Sequence, residues 1–180
     1  MVVVVVLGVG LVGCTPGGEA TPSPSTGEST TVVATPSPSP TPQWTDEEQG
    51  AVDAVQRYLE VWTRIGQDPI NADWGEFNAV AIDPAVSDAL TIWNTWASQG
   101  WHLVNGPVFE PESVSAGVHD IDGQVFHVRG CFLLADGYVV DSSGNRLENN
   151  GDPRAVGQFD VLHTETRYVV VEELPKEGTC

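Results

Sequence analysis

The sequence predicts an α+β domain in which N-terminal helices pack on one face of an antiparallel sheet. Between positions 44 and 100, apolar residues recur at spacings of three and four, which is typical of helices. From Trp101 onward they alternate with polar residues, which is typical of half-buried strands. We place this domain at residues 44–180, after a signal segment at 1–13 and a linker at 14–43.

The first helix begins at a capping box, in which Thr45 is followed three residues later by Glu48. Its apolar residues then share one face: Val52, Val55, Leu59 and Trp62. Gly66 is the predicted end of the helix.

A short second helix is predicted near 71–80, although the segment "NADWGEFNAVA" is only weakly periodic. Asp83-Pro84 predicts the start of a third helix, with Asp83 as the N-cap and proline at the first helical position. Gly100 is its predicted end. The apolar stripe of this helix consists of Val86, Leu90, Trp93, Trp96 and Ala97.

Strands are predicted from Trp101 to the end of the chain. "WHLVNGPVF" is the first, and "ESVSAGVHDI" is the second, with Val114, Ala116 and Val118 facing inward. Asp122-Gly123 predicts a tight turn into "QVFHVRGCFLLA". "YVVD" follows, and "RAVGQFDVLHTE" and "TRYVVVEEL" form the last predicted hairpin.

The charge of the chain excludes some partners. The formal net charge is −18; all seven basic residues and all but two of the 25 acids lie after position 43, which gives residues 44–180 a charge of −16. Such a surface repels phosphate backbones and anionic bilayers, so we expect no nucleic-acid binding and no direct membrane adsorption. It also keeps copies apart, which predicts a monomer.

The N-terminal segment "MVVVVVLGVGLVGC" predicts a route to the membrane by other means. Its apolar run is too short to span a bilayer but fits the core of a secretory signal. Leu11-Val12-Gly13-Cys14 resembles a bacterial lipobox, in which the cysteine sulfur carries diacylglycerol and palmitate is a typical acyl chain. No basic residue precedes the valines, so we expect the true start of translation upstream. A chance cysteine is the alternative.

Residues 15–43 are rich in Thr, Ser, Pro and Gly and hold few large apolar side chains. Such a segment buries too little surface to offset the entropy of ordering, which predicts a disordered linker. The chain is therefore expected to hold its domain on the extracellular face of the cell membrane.

The helix order, the step "SQGWHLVNGPV" and the mid-sheet cysteine in "HVRGCFLL" support a resemblance. The chain resembles small actinobacterial and actinophage lipoproteins with a nuclear transport factor 2-like domain, also called cystatin-like or SnoaL-like. The resemblance implies a curved sheet that forms a cone with the helices.

It also implies a bond between Cys131 and the C-terminal Cys180. If Cys14 is lipidated, Cys131 and Cys180 are the two cysteines left to pair, and a disulfide between them is chemically allowed in an exported protein. Two free thiols are the alternative; zinc is disfavoured because neither has a CxxC neighbour.

Enzymes of this fold, the SnoaL-like cyclases and ketosteroid isomerase-like proteins, use an Asp with a His or Tyr in the cone. Tyr58, Asp160 and His163 could take those roles, as could Asp120 or Asp122. Asp160 and His163 differ in strand parity, so without a bulge they face opposite ways. None of these residues lies in a family motif. We therefore predict no enzyme, no catalytic residue and no cofactor.

Histidines and tryptophans are the remaining candidates for a site. His102, His119, His127 and His163 all fall in the predicted sheet, but no HxH or HExxH motif joins them, so we predict no metal site. Trp62, Trp93 and Trp96 belong to helix stripes. Trp44 and Trp74 lie off these stripes and are candidates for an exposed aromatic patch.

The predicted function is a lipid-anchored extracytoplasmic binding or structural module without catalysis, with the membrane and an envelope or phage protein as partners. One alternative is a phage or mobile-element surface lipoprotein, acting in superinfection exclusion or conjugation. A SnoaL-like or ketosteroid isomerase-like enzyme is another.

Overall fold

The computed structural model describes residues 43–119, 122–133, 137–147, 154–178 and 180. The predicted signal segment, Cys14 and the linker up to position 42 lie outside the described residues. Pro40–Cys180 forms one compact unit. In the part of the chain that is described, no helix combines the length and the apolar character needed to cross a membrane.

The first helix, α1, spans Asp46–Gln67 and begins as predicted. The Thr45 hydroxyl accepts a hydrogen bond from the Glu48 amide at 3.3 Å, and the Thr45 amide donates to the Glu48 carboxylate at 2.8 Å. These two bonds satisfy amides that the helix itself leaves unpaired. The predicted apolar face is confirmed, with Val52, Val55 and Leu59 buried.

A 3₁₀ helix at Trp74–Ala79 occupies the segment predicted as the second helix. The next helix, α2, spans Ala85–Gln99. The predicted start, with Pro84 as the first helical residue, is wrong by one residue. Pro84 occupies the N-cap, and the Asp83 carboxylate accepts from the Ser87 amide at 3.2 Å and the Ser87 hydroxyl at 2.6 Å. Asp83 thus satisfies a first-turn amide from one residue further out.

Helix α2 buries a narrower face than the predicted stripe. Ala85, Ala89 and Trp93 are buried, whereas Val86 and Leu90 are half-buried at its margin. Ala85 and Ala89 are small, so α2 can lie close to the rest of the core. The larger Trp93 side chain is fully buried in that core. Gly100 ends the helix as predicted, with a left-handed φ of 69° that glycine adopts without steric cost.

The strands form two antiparallel sheets, and the α+β class is confirmed. The larger sheet has four strands in the order β2-β3-β5-β6, and a small one pairs β1 with β4. The strands are β1 His102–Val104, β2 Val108–Gly117, β3 Gln124–Leu133, β4 Tyr138–Val140, β5 Arg154–His163 and β6 Tyr168–Lys176. The two predicted hairpins, β2–β3 and β5–β6, are confirmed. The first has a longer connection than the predicted tight turn, because β2 ends at Gly117 and β3 begins at Gln124.

Two strand predictions are wrong. "WHLVNGPVF" is broken into β1 and β2 because Asn105 has a φ of 57° and is followed by Gly106-Pro107. In β2, Val114 is half-buried but Ala116 is exposed, and Val118 beyond the strand is 92% exposed. β2 is an edge strand, so a neighbouring strand shields it on one side only.

Apolar residues are buried on both faces of the larger sheet. The helix-facing side packs α1, α2 and the 3₁₀ helix into the main core, which includes Tyr58, Phe77, Trp93, Phe126, Val128, Phe159 and Val161. The outer side holds a smaller apolar cluster of Val125, Leu162, Val169 and Val171, with Ile82 against it. We call these the helix face and the outer face.

Candidate functional site

A cleft of about 450 Å³ lies between the helices and the sheet. We call it the helix–sheet cleft. Most of its wall is apolar and includes Trp62, Ala89, Ile92, Pro107, Phe132 and Pro175. Three polar residues interrupt this wall: Tyr58 from α1, Asp88 from α2 and Glu173 from β6. An apolar concave surface with a few convergent polar groups is the usual form of a ligand site.

The Tyr58 hydroxyl donates a hydrogen bond to the Glu173 carboxylate, with 3.3 Å between the two oxygens. The Tyr58 ring is held in the core by Phe77 and Phe159, whose ring centroids lie 5.0 and 5.6 Å away. Tyr58 is only 3% exposed, so its hydroxyl position is set by packing. Because the Tyr58 proton is engaged by Glu173, the pair presents hydrogen-bond acceptors to the cleft.

The surroundings shift the acidity of both groups. Burial raises the pKa of Tyr58 far above its usual range, and the charge and hydrogen bond of Glu173 add to the shift. Burial also raises the pKa of Glu173, against the opposing effect of the Tyr58 hydrogen bond. Glu173 as a whole residue is exposed, and it is the loss of hydration where it lines the cleft that raises its pKa.

Among the described residues that by sequence could have taken acid–base roles, only Tyr58 lines the cleft. Asp160 is on the outer face, whereas His163 stacks on Tyr168 with 4.0 Å between ring centroids, on the helix face. β5 pairs with β3 without a register shift, so the expected difference in parity is confirmed. Asp122 is exposed at the turn, and Asp120 lies outside the described residues.

Sequence reasoning missed Glu173. The signal that could have indicated it is the pair Glu172-Glu173 inside a predicted strand, because adjacent strand residues face opposite sides. One of the two carboxylates had to lie on the helix face. The sequence leaves open which one.

A second polar cluster lies on the outer face. His127, Asp160 and Glu172 are direct cross-strand partners on β3, β5 and β6, so they form one row across the sheet. The His127 Nδ1 and Asp160 Oδ1 atoms are 2.7 Å apart, and Gln158 donates to the same oxygen at 2.8 Å. His119, which follows β2, reaches this row from outside the strands. Thus two of the four histidines meet Asp160, whereas His102 lies on β1 and His163 on the helix face.

Trp44 and Trp74, the candidates for an exposed aromatic patch, do not form one. Trp44 and Trp74 are both half-buried against the main core, and the Trp74 indole donates to the Pro69 carbonyl at 2.9 Å. Trp62 makes an edge-to-face contact with Trp96 at 5.5 Å between centroids. These rings build the helix layer, and Trp62 also lines the cleft.

Cys131 and Cys180 form a disulfide, with 5.8 Å between their Cα atoms. The bond fixes the end of the chain to β3, on the outer face. Cys14 lies outside the described residues, so its lipidation stays a prediction.

No family model matches this sequence, and no curated protein matches it at a significant level. Among solved structures, the intermembrane space region of the chloroplast protein ARC6 is similar, with a TM-score of 0.58 and 10% sequence identity. The match covers 76% of this chain and 100% of that one. At this identity the likeness concerns the fold alone.

Proposed function

We propose that the chain is a lipid-anchored extracytoplasmic binding module and that the helix–sheet cleft is its binding site. The observation that carries this proposal is the cleft itself: an apolar wall interrupted by the fixed Tyr58–Glu173 pair. The three-helix layer on an antiparallel sheet supports a nuclear transport factor 2-like cone as the finer description of the fold.

The chemistry of the cleft indicates the class of ligand. Its wall favours an apolar body, since each square ångström of apolar surface removed from water contributes roughly 25 cal/mol. The Glu173 carboxyl accepts a proton more readily than an ordinary glutamate, and Asp88 lines the same cleft. These acids disfavour an anionic ligand. We therefore propose a neutral apolar molecule or side chain that offers one hydrogen-bond donor to Glu173.

The cleft can be tested with a neutral environment-sensitive dye, N-phenyl-1-naphthylamine, read by its own fluorescence and by energy transfer from the tryptophans of the helix layer. Ile92 lines the cleft and is 39% exposed, so Ile92→Gln changes the wall at little cost to the fold. Ile70 is 64% exposed and does not line the cleft, which makes Ile70→Gln the matched control. We expect saturable binding that Ile92→Gln weakens by about 5-fold or more, through lost apolar contact, with Ile70→Gln unchanged.

Equal loss in both variants, or binding that does not saturate, would contradict the cleft as a binding site. A competitor that carries a hydroxyl donor should displace the dye more readily from the wild type than from Glu173→Leu. The reverse order would contradict the assigned role of Glu173.

The anchor is tested separately. Two or more acyl chains give stable membrane attachment where one does not, and the acidic domain adds no attraction of its own. Metabolic labelling with a fatty acid should mark the wild-type protein and direct it to the detergent phase, and Cys14→Ala should abolish both. An unlabelled wild-type protein in the aqueous phase would contradict the lipid anchor and the localisation that depends on it.

A second candidate function, proton transfer on a bound carbonyl compound, is favoured by one observation. A carboxyl with a raised pKa, hydrogen-bonded to a neutral tyrosine in an apolar cleft, is a suitable general base. Nuclear magnetic resonance would detect exchange of α-protons of an enolisable ketone with deuterium. Exchange that Glu173→Gln abolishes and Glu165→Gln preserves would favour this function over binding alone.

A further inference from the structure

We propose that His119, Asp160 and Glu172 form a site for a divalent transition-metal cation on the outer face of the sheet. The ligating atoms of these three residues all lie within 4.8 Å of one another. The site is separate from the helix–sheet cleft and uses none of its residues.

The sheet itself places two of the ligands. Asp160 on β5 and Glu172 on β6 are cross-strand partners, because a register irregularity follows Asp160 and leaves Val171 without a partner in the ladder. Asp160 is only 5% exposed and is the buried charged residue of the described core. Two carboxylates this close repel each other in a partly buried place, and a cation between them removes the repulsion.

His119 supplies the third ligand. Its Nδ1 atom is buried and, among the described residues, has no hydrogen-bond partner. A buried nitrogen without a partner costs free energy, and native structures rarely leave one unexplained. A metal ion coordinated through this nitrogen would account for it, because neutral imidazole is the commonest protein ligand of such ions.

The geometry is close to what a metal needs. In a tetrahedral zinc site with ligands at about 2.0–2.1 Å, neighbouring ligand atoms are about 3.4 Å apart. Separations of up to 4.8 Å are therefore closed by side-chain torsions of His119 and Glu172, both of which are half-buried rather than packed into the core. Water would supply the fourth ligand of such a site.

His127 and Gln158 are outer partners of the proposed ligand Asp160. Both contact the Asp160 Oδ1 atom, at 2.7 and 2.8 Å, and so fix the orientation of the carboxylate. Metal ligands are commonly held in this way by outer partners. The set of one nitrogen and two oxygen ligands favours Zn²⁺ over Ca²⁺ and Mg²⁺, which prefer all-oxygen sites.

The test is calorimetric titration of purified full-length protein with Zn²⁺, in a Cys14→Ser background so that no free thiol competes. We expect one saturable site. His119→Ala and Glu172→Gln should each weaken it by at least about 10-fold, and His127→Ala, which removes only an outer partner, by about 10-fold or less. Glu165→Gln, at an exposed turn, and His163→Ala, on the helix face, should bind as the wild type does.

Two further measurements separate a site from general attraction of cations to an acidic protein. Co²⁺ should give the intense visible bands of a tetrahedral complex with the wild type and lose them with His119→Ala. Zn²⁺ should raise the melting temperature of the wild type but not of His119→Ala, while the two proteins melt alike in EDTA. Binding that is weak, multiple and equal in all variants would overturn the proposal, as would equal affinity for Ca²⁺ and Zn²⁺.

Discussion

Opening the Cys131–Cys180 disulfide should destabilise the domain through the unfolded state. The bond closes a loop across a sequence separation of 49 residues. In the chain-entropy model a loop of that length contributes about 4 kcal/mol, because the cross-link restricts the unfolded chain more than the folded one. For a domain of this size each kcal/mol corresponds to roughly 3 °C, so the melting temperature should fall by about 12 °C.

Cys180→Ser is the cleaner of the two possible variants. Cys180 is exposed, so a serine there changes little packing, whereas Cys131 is only 3% exposed and Cys131→Ser would also bury a hydroxyl. Burying a hydroxyl in place of sulfur costs free energy, even with the Glu112 Oε1 atom 3.3 Å from the Cys131 Sγ position as a possible acceptor. We therefore expect Cys131→Ser to be the less stable variant, and the difference between the two measures the packing effect.

Scanning calorimetry, with and without reductant, provides the measurement. Reduced wild type should melt close to Cys180→Ser, and reductant should leave both variants unchanged. Non-reducing peptide mapping of exported protein should link the two cysteine peptides. The reasoning fails if mapping finds the bond but Cys180→Ser lowers the melting temperature by less than about 3 °C, since the loop would then contribute little.

The other predictions concern the cleft and the core. Burial raises the pKa of Glu173 in the folded protein, so the folded protein binds this proton more tightly than the unfolded chain does. The stability that the bound proton contributes is therefore fully present below the usual pKa of 4.5 and is lost as pH rises through the raised pKa. Urea unfolding across this pH window should show Glu173→Gln gaining stability relative to the wild type as pH rises; a difference that stays constant with pH would contradict the assignment. Phe159 is fully buried between Phe109 and Phe132, with ring centroids at 5.0 and 5.5 Å, so Phe159→Ala should cost about 3–5 kcal/mol in urea unfolding. Val108, 57% exposed, is its control, and Val108→Ala should change stability by less than about 0.5 kcal/mol; similar losses in both would contradict the assigned core.

The sequence by itself determined the elements that depend on neighbours along the chain. The capping box at Thr45, the apolar face of α1 and the glycine at the end of α2 are local features, and all three are confirmed. The two hairpins of the larger sheet follow from alternation around turn residues. Together these elements give the α+β class, because helices followed by antiparallel strands allow few other arrangements.

Other features could not be predicted from the sequence, because more than one tertiary arrangement is compatible with the same local pattern. The left-handed Asn105 divides one apparent strand in two, and the first half pairs with β4 instead of extending β2. The stripe predicted for α2 included Val86 and Leu90, but the helix turns Ala85, Ala89 and Trp93 inward. Which side of a helix lies deepest depends on the element that it packs against.

Both candidate sites depend on one irregular residue in β6. Strict alternation from Val169 and Val171 would place Glu172 on the helix face and Glu173 on the outer face. The extra residue at Val171 reverses this order, so that Glu172 meets Asp160 and Glu173 meets Tyr58. A bulge is set by how two strands pair, and that pairing depends on residues far apart in the chain. The sequence therefore supplied the two carboxylates, and only the tertiary structure decided which of them each site received.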